Sequence, residues 1–195
     1  MTRPLPFFPA AAIAALCAAI ALLPGCVPVV VMGATEAVVS AGDPRSTGAQ
    51  IDDQTIEFKV TTAAGSRWGN EVHLNVTSYN GIVLLTGEAP STVVQDEITQ
   101  MTKSTDRVRI VQSEMVIGPV TDLGPRTNDT YITSKVKTRL VQEDKVKALY
   151  IKVVTERSVV YLMGMVTREE ADAAAQVAAT TSDVARVVKV FEYKN

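Results

Sequence analysis

Sliding the chain against itself by 76 positions brings Asp53 onto Asp129, Ile56 onto Ile132, Lys59 onto Lys135, Val60 onto Val136 and Thr62 onto Thr138. A shift of 77 then brings Val76 onto Val153, Leu85 onto Leu162 and Gly87 onto Gly164. Two blocks matching in the same order, about one insertion apart, describe a single unit used twice. The copies fall at residues 51–118 and 127–195, with a Gly/Pro-containing linker at 119–126. Each copy is small enough to hold only a modest core, so packing one against the other would help both.

Periodicity sets the order of elements within a copy. Ile132, Val136 and Leu140 fall on one face at i, i+4 and i+8, which predicts a helix, with Asn128 or Asp129 able to cap its start. An alternating strand follows, Leu74 to Thr77 in the first copy and Tyr150 to Val153 in the second. Asn80-Gly81 then predicts a type I′ hairpin into Ile82 to Leu85, because both central residues of that turn need positive φ. Arg157-Ser158 is a weaker turn at the matching place. Gly87 and Gly164 close the second strand, and Thr167 to Glu170 reads as a capping box opening a second helix rich in small residues at Ala171, Ala174, Ala175 and Ala178. Last strands are expected at 108–117 and 184–193, each reached by a helical crossover. The predicted class is α+β, with each copy running helix, strand, strand, helix, strand and both helices on one face of a three-stranded mixed sheet.

The region before the repeat has a different character. Met1-Thr2-Arg3 is a short basic start, Pro4 to Ala34 carries no charge, and Phe7 to Leu23 is rich in Ala, Leu and Ile. These are the parts of a secretory signal. Leu23-Pro24-Gly25-Cys26 resembles a bacterial lipobox, in which the Cys is acylated and becomes the first residue after cleavage; Pro24 departs from the usual small residue. The alternative is an uncleaved membrane-spanning helix, against which Pro9, Pro24 and Pro28 weigh. On the lipoprotein reading, residues 1–25 are the signal peptide and 26–50 are the acylated Cys26 and its tether. Val27 follows that Cys where inner-membrane lipoproteins commonly carry Asp, which points to the periplasmic face of the outer membrane.

Charge and residue types exclude much else. With 19 Lys+Arg against 21 Asp+Glu, the chain is no strongly basic nucleic-acid binder. His73 is the sole histidine and has neither a second His nor a nearby Cys, so no metal or other cofactor is expected. No Gly-x-Ser-x-Gly or comparable nucleophile motif appears, so the chain is read as a non-enzyme. A hydrolase of envelope material is left with no residue constellation to carry it.

The ordered elements, the closing glycines and the Val-rich hairpins resemble the BON domain, a bacterial periplasmic module. Two such units behind a lipobox resemble the dual BON-domain outer-membrane lipoproteins. Asp43-Pro44-Arg45-Ser46 and Asp52-Asp53 match the segment leading into that family's first domain, and Asn128-Asp129-Thr130 and Leu162-Met163-Gly164 match its second. The resemblance covers Cys26 to the C-terminus. It implies support of envelope integrity, gathering at the cell-division site, and recognition of anionic phospholipid, phosphatidylglycerol or cardiolipin, through the first helix of the second domain. An aromatic stands early in that helix in the family, and here it is Tyr131.

The residues themselves lean the same way. Residues 51–118 hold 5 Lys+Arg and 9 Asp+Glu, net −4, whereas 127–195 hold 11 and 9, net +2. Tyr131, Lys135, Thr138 and Gln142 form a stripe beside the core face, with Thr130, Ser134 and Arg139 adjoining; these seven are the candidate phospholipid-binding residues. Two alternatives stand. Tyr131 could cap the core or meet the first copy while the lysines form a solvated face, and the acidic first copy, with Trp68, could serve as a scaffold for an envelope protein partner.

Overall fold

A computed structural model describes residues 43–120 and 123–194. The expected signal segment, Cys26 and most of the tether lie outside the described residues. Both copies of the repeat belong to one compact unit. Among the described residues, no helix is long and apolar enough to cross a membrane.

The first copy opens with α1 (Thr47–Trp68), capped by the Ser46 side chain, which accepts from the Ala49 amide. The helix therefore begins within the stretch assigned to the tether. A short 3-10 turn leads to β1 (His73–Tyr79), which pairs antiparallel with β2 (Ile82–Ala89). Asn80 and Gly81 have φ of 52° and 74°, the positive values that the Asn-Gly turn was expected to take. Next come α2 (Thr92–Lys103), then β3 (Ile110–Ser113) and β4 (Val116–Ile117), both parallel to β2. The expected single last strand is broken between them, and the break turns Met115 into the core. Trp68, named from sequence as part of a possible scaffold surface, ends α1 and packs on this domain's own core.

The second copy repeats the scheme with α3 (Leu123–Val141), β5 (Ile151–Glu156), β6 (Val159–Val166), α4 (Arg168–Ala179) and β7 (Arg186–Tyr193). Its sheet runs β5-β6-β7, antiparallel then parallel. The Thr167/Glu170 capping box is formed in both directions. The helix α3 starts at Leu123, inside the residues read as linker, so Asp129 sits in its second turn and not at its cap. There its carboxylate, 6% exposed, accepts the amides of Arg157 and Ser158 at 2.8 Å each. Those two residues have φ of 52° and 60°, so the second hairpin uses the same turn without a glycine. Asp53 does the equivalent work in the first copy, accepting from the Asn80 amide at 2.7 Å, the Gly81 amide at 2.9 Å and the Ser78 hydroxyl at 2.6 Å. The aspartates that align in the repeat are hairpin clamps.

Each sheet is covered on both faces. On the helix side, Ile56, Val60, Val83, Leu85 and Ile98 form one core, and Ile132, Val136, Leu140, Val160 and Leu162 the other. Ala171, Ala174 and Ala178 let α4 lie close on its sheet. The opposite faces pack against each other through Tyr79, Ile82 and Leu84 on one side and Tyr161, Met163 and Val190 on the other. This explains why every residue of β2 is buried. Around that apolar centre run polar bridges: Lys152 to Glu57 at 3.0 Å, Asn80 to Glu192 at 2.7 Å and Asn75 to Glu156 at 2.7 Å. Gly87, with φ of 115°, is needed where β1 crosses, since a Cβ there would stand 2.0 Å from the His73 carbonyl oxygen.

Candidate functional site

The helix α3 buries Ile132, Val136 and Leu140 and turns the stripe between them outward. Tyr131 is 61% exposed, so it neither caps the core nor meets the first domain. Below it Thr130, Ser134 and Thr138 form a ladder in which each hydroxyl donates to the carbonyl one turn earlier: Thr130 to Arg126 at 3.1 Å, Ser134 to Thr130 at 3.0 Å, Thr138 to Ser134 at 2.9 Å. Hydroxyls satisfied by their own helix lose little on leaving water, and a stripe of this kind tolerates a half-apolar surrounding.

Lys135 lies between this stripe and the turn after α4. Its ammonium stands 4.6 Å from the centre of the Tyr131 ring, a cation–π distance. It also donates to the Ser182 carbonyl at 3.0 Å and the Ser182 hydroxyl at 2.9 Å, and ion-pairs with Asp183. The Asp183 carboxyl is held below its ordinary value by that hydrogen bond. The positive charge expected of Lys135 is thus largely cancelled on the spot. Arg139 differs. It donates to the Val177 carbonyl at 3.1 Å, the Thr181 hydroxyl at 2.7 Å and the Thr180 hydroxyl at 3.0 Å, all neutral acceptors, and keeps its full charge while fastening the end of α4 to α3.

Together Tyr131, Ser134, Lys135, Thr138 and Arg139 form one wall of a groove of about 600 Å³, whose other wall is Thr180, Thr181 and Ser182. Thr130 lies on the far side of Tyr131, in a second hollow of about 480 Å³ with Arg126 and Ser134. Gln142 is exposed beyond the end of α3 and lines neither. Sequence reasoning missed Thr180 to Asp183 entirely. Their only signal was a polar run after an Ala-rich helix, and their role depends on α4 folding back beside α3. The groove's chemistry is one exposed phenol ring, a guanidinium with no carboxylate partner among the described residues, and hydroxyls, an amphipathic lining with positive charge.

Comparison with known proteins agrees with the fold. The BON domain family matches twice, at residues 52–119 and 128–195. Outer membrane lipoprotein DolP of Haemophilus influenzae is 39% identical over 183 residues, covering 93% of this chain and 95% of that one. A 21 kDa hemolysin of Actinobacillus pleuropneumoniae is 35% identical over 153 residues, 77% of this chain and 79% of the other. Among solved structures, CdsD, a structural protein of the type III secretion system of Chlamydia trachomatis, aligns with a TM-score of 0.29 and 11% identity. That alignment covers 73% of this chain and 63% of the CdsD chain, so this protein spans under two thirds of its length. The paired sheets, the doubled hairpin clamp and the full-length match lead to one assignment: the chain belongs to the BON-domain family, as a DolP-like protein with two BON domains in tandem.

Proposed function

We propose that this protein is a lipoprotein of the outer membrane's periplasmic face, anchored through acylated Cys26, whose second BON domain binds anionic phospholipid and so supports envelope integrity, at the division site among others. It works by binding and not by catalysis. The observation that carries the lipid reading is Tyr131, 61% exposed over a groove whose polar wall includes a guanidinium without a carboxylate partner among the described residues. The likeness to an outer membrane lipoprotein supports the location. Phosphatidylglycerol and cardiolipin are the lipids of choice, because their phosphates offer an acceptor for Arg139 while their chains accept the Tyr131 ring. A tethered domain meets the membrane at high effective concentration, so modest contacts suffice.

Flotation of the chain lacking the segment through Cys26, on neutral and phosphatidylglycerol vesicles at low and high salt, tests this directly. Salt-sensitive binding to the anionic vesicles alone, lost in Tyr131→Glu and weakened in Arg139→Gln, is the expected result. Binding indifferent to lipid charge, or unchanged in both variants, overturns it.

A second reading rests on the first domain. There Phe58 and Val93 are 72% and 64% exposed, and Val93 with Arg67, Asp96, Glu97 and Met101 borders a broad hollow of about 840 Å³. An envelope protein partner docked there would be lost on Val93→Asp while vesicle binding persisted.

A further inference from the structure

His73 stands at the start of β1, directly across from Glu88 on β2, and the two side chains share the face that meets the second domain. Its Nδ1 lies 2.9 Å from a Glu88 carboxylate oxygen. Glu156, at the end of β5, comes to the same place from the other domain, and one ligand-type atom from each of the three residues falls within 4.8 Å of the others. Glu88 is 0% exposed and Glu156 5%. Such burial beside a second carboxylate is costly for Glu156, with Asp129 also lining the cleft. Arg157 approaches Glu88 at 3.6 Å from a 54% exposed side chain. The donors described for Glu156 are neutral: the Asn75 amide at 2.7 Å and the Thr86 hydroxyl at 3.5 Å. Arg126 and Lys137 stand on the α3 wall of the cleft, and neither is ion-paired with Glu156 among the described residues.

The repeat supplies an internal comparison. Shifted by 76 or 77 positions, Asn75 corresponds to Lys152 and Asp129 to Asp53. At that matching cleft the chain provides its own cations. Lys152 bridges Glu57 and the Ser78 carbonyl, and Arg45 pairs with Asp53 at 2.8 Å while lying 3.9 Å above the Tyr79 ring. On the His73 side, the lysine is replaced by a neutral asparagine, a histidine faces two buried carboxylates, and a space of about 520 Å³ adjoins them. That space is far larger than the roughly 30 Å³ a water occupies, so solvent ligands have room.

We propose that His73, Glu88 and Glu156 form a binding site for a divalent transition-metal ion that locks the two BON domains together. One imidazole and two carboxylates match the borderline preference of Zn²⁺ and its neighbours and are poorly suited to Mg²⁺ or Ca²⁺. Two carboxylates balance the ion's charge, and water on the cleft side completes the coordination. Ligand atoms on a tetrahedral Zn²⁺ stand roughly 3.4 Å apart, so the set, now within 4.8 Å, contracts by up to about 1.4 Å, within reach of side-chain rotation. The sequence set His73 aside for want of another His or Cys. The missing ligands are carboxylates, and one of them comes from the other domain.

The test uses the full purified chain, stripped with a chelator and titrated with Zn²⁺ alone by calorimetry, with Mg²⁺ and Ca²⁺ as controls. The expected result is one Zn²⁺ per chain at micromolar affinity or better, a rise in Tm, and at least tenfold weaker binding in His73→Gln and in Glu156→Gln. Co²⁺ added in place of Zn²⁺ should give visible absorption bands that change in each variant. If one variant fails to fold, by circular dichroism, the other decides. No saturable Zn²⁺ binding up to about 100 μM, or binding and Co²⁺ bands unchanged by the folded variant, overturns the proposal.

Discussion

Replacing Asp129 with Ala removes a carboxylate that accepts two backbone amides from a turn whose residues both sit at positive φ. Hydrogen bonds to a charged group contribute about 1.5–3 kcal/mol each, net of solvent. Arg157 is exposed and Ser158 half-buried, so water recovers part of that loss, and we expect Asp129→Ala to destabilise the protein by about 2–4 kcal/mol. Asp129→Asn keeps one acceptor and aims its amide group at a donor, for a loss of about 1.5–3 kcal/mol. The opposite change addresses the same strain. Ser158→Gly places the one residue without a Cβ penalty at φ of 60° and should stabilise by about 0.5–1 kcal/mol. Urea unfolding followed by circular dichroism measures all three, with coincident near- and far-UV transitions confirming that the two domains unfold together. A cost below about 0.5 kcal/mol for Asp129→Ala, or a loss of stability in Ser158→Gly, would refute the clamp.

At the groove, Asp183→Asn leaves Lys135 without its carboxylate partner, and anionic vesicles should bind about fivefold more tightly, the worth of roughly one freed cation; unchanged flotation counts against the groove. Met163, 0% exposed between the two sheets, should cost about 2–5 kcal/mol when changed to Ala, read as a lower urea midpoint. For Glu192, burial raises the carboxyl's pKa, but the hydrogen bonds from Arg109 and Asn80 outweigh it and the net shift is downward. Its contribution to stability is therefore full above the unfolded carboxylate value of about 4.3 and disappears as pH falls through the lower folded value. The stability gap between wild type and Glu192→Gln should shrink as the pH is lowered from about 5.5 to 3, and a constant gap contradicts the assignment.

Local chemistry was legible along the chain and long-range convergence was not. Asn80-Gly81 announced its hairpin because only certain residues accept that backbone, and Thr167 to Glu170 announced a helix start because two free amides need those side chains. Asp129 shows the limit. A polar residue near a helix start reads as a cap, and nothing local reveals that the helix begins six residues earlier and that the carboxylate serves a turn 28 positions on. Tyr131 and its ladder were visible as a stripe, but the wall formed by Thr180 to Ser182 required the packing of two helices. The buried cluster at His73 was hidden for the same reason, since its members come from three strands of two sheets.

The apolar faces joined through Tyr79, Leu84, Tyr161 and Met163 bear on what either half could do alone. Leu84 and Tyr161 occupy matching positions of the repeat, 77 apart, so the two copies meet through the same face of their sheets. One BON unit released from this chain would expose its half of that apolar face to water. Joining the two copies in one polypeptide makes that pairing independent of protein concentration and frees each copy to diverge, one acidic and one presenting an aromatic groove.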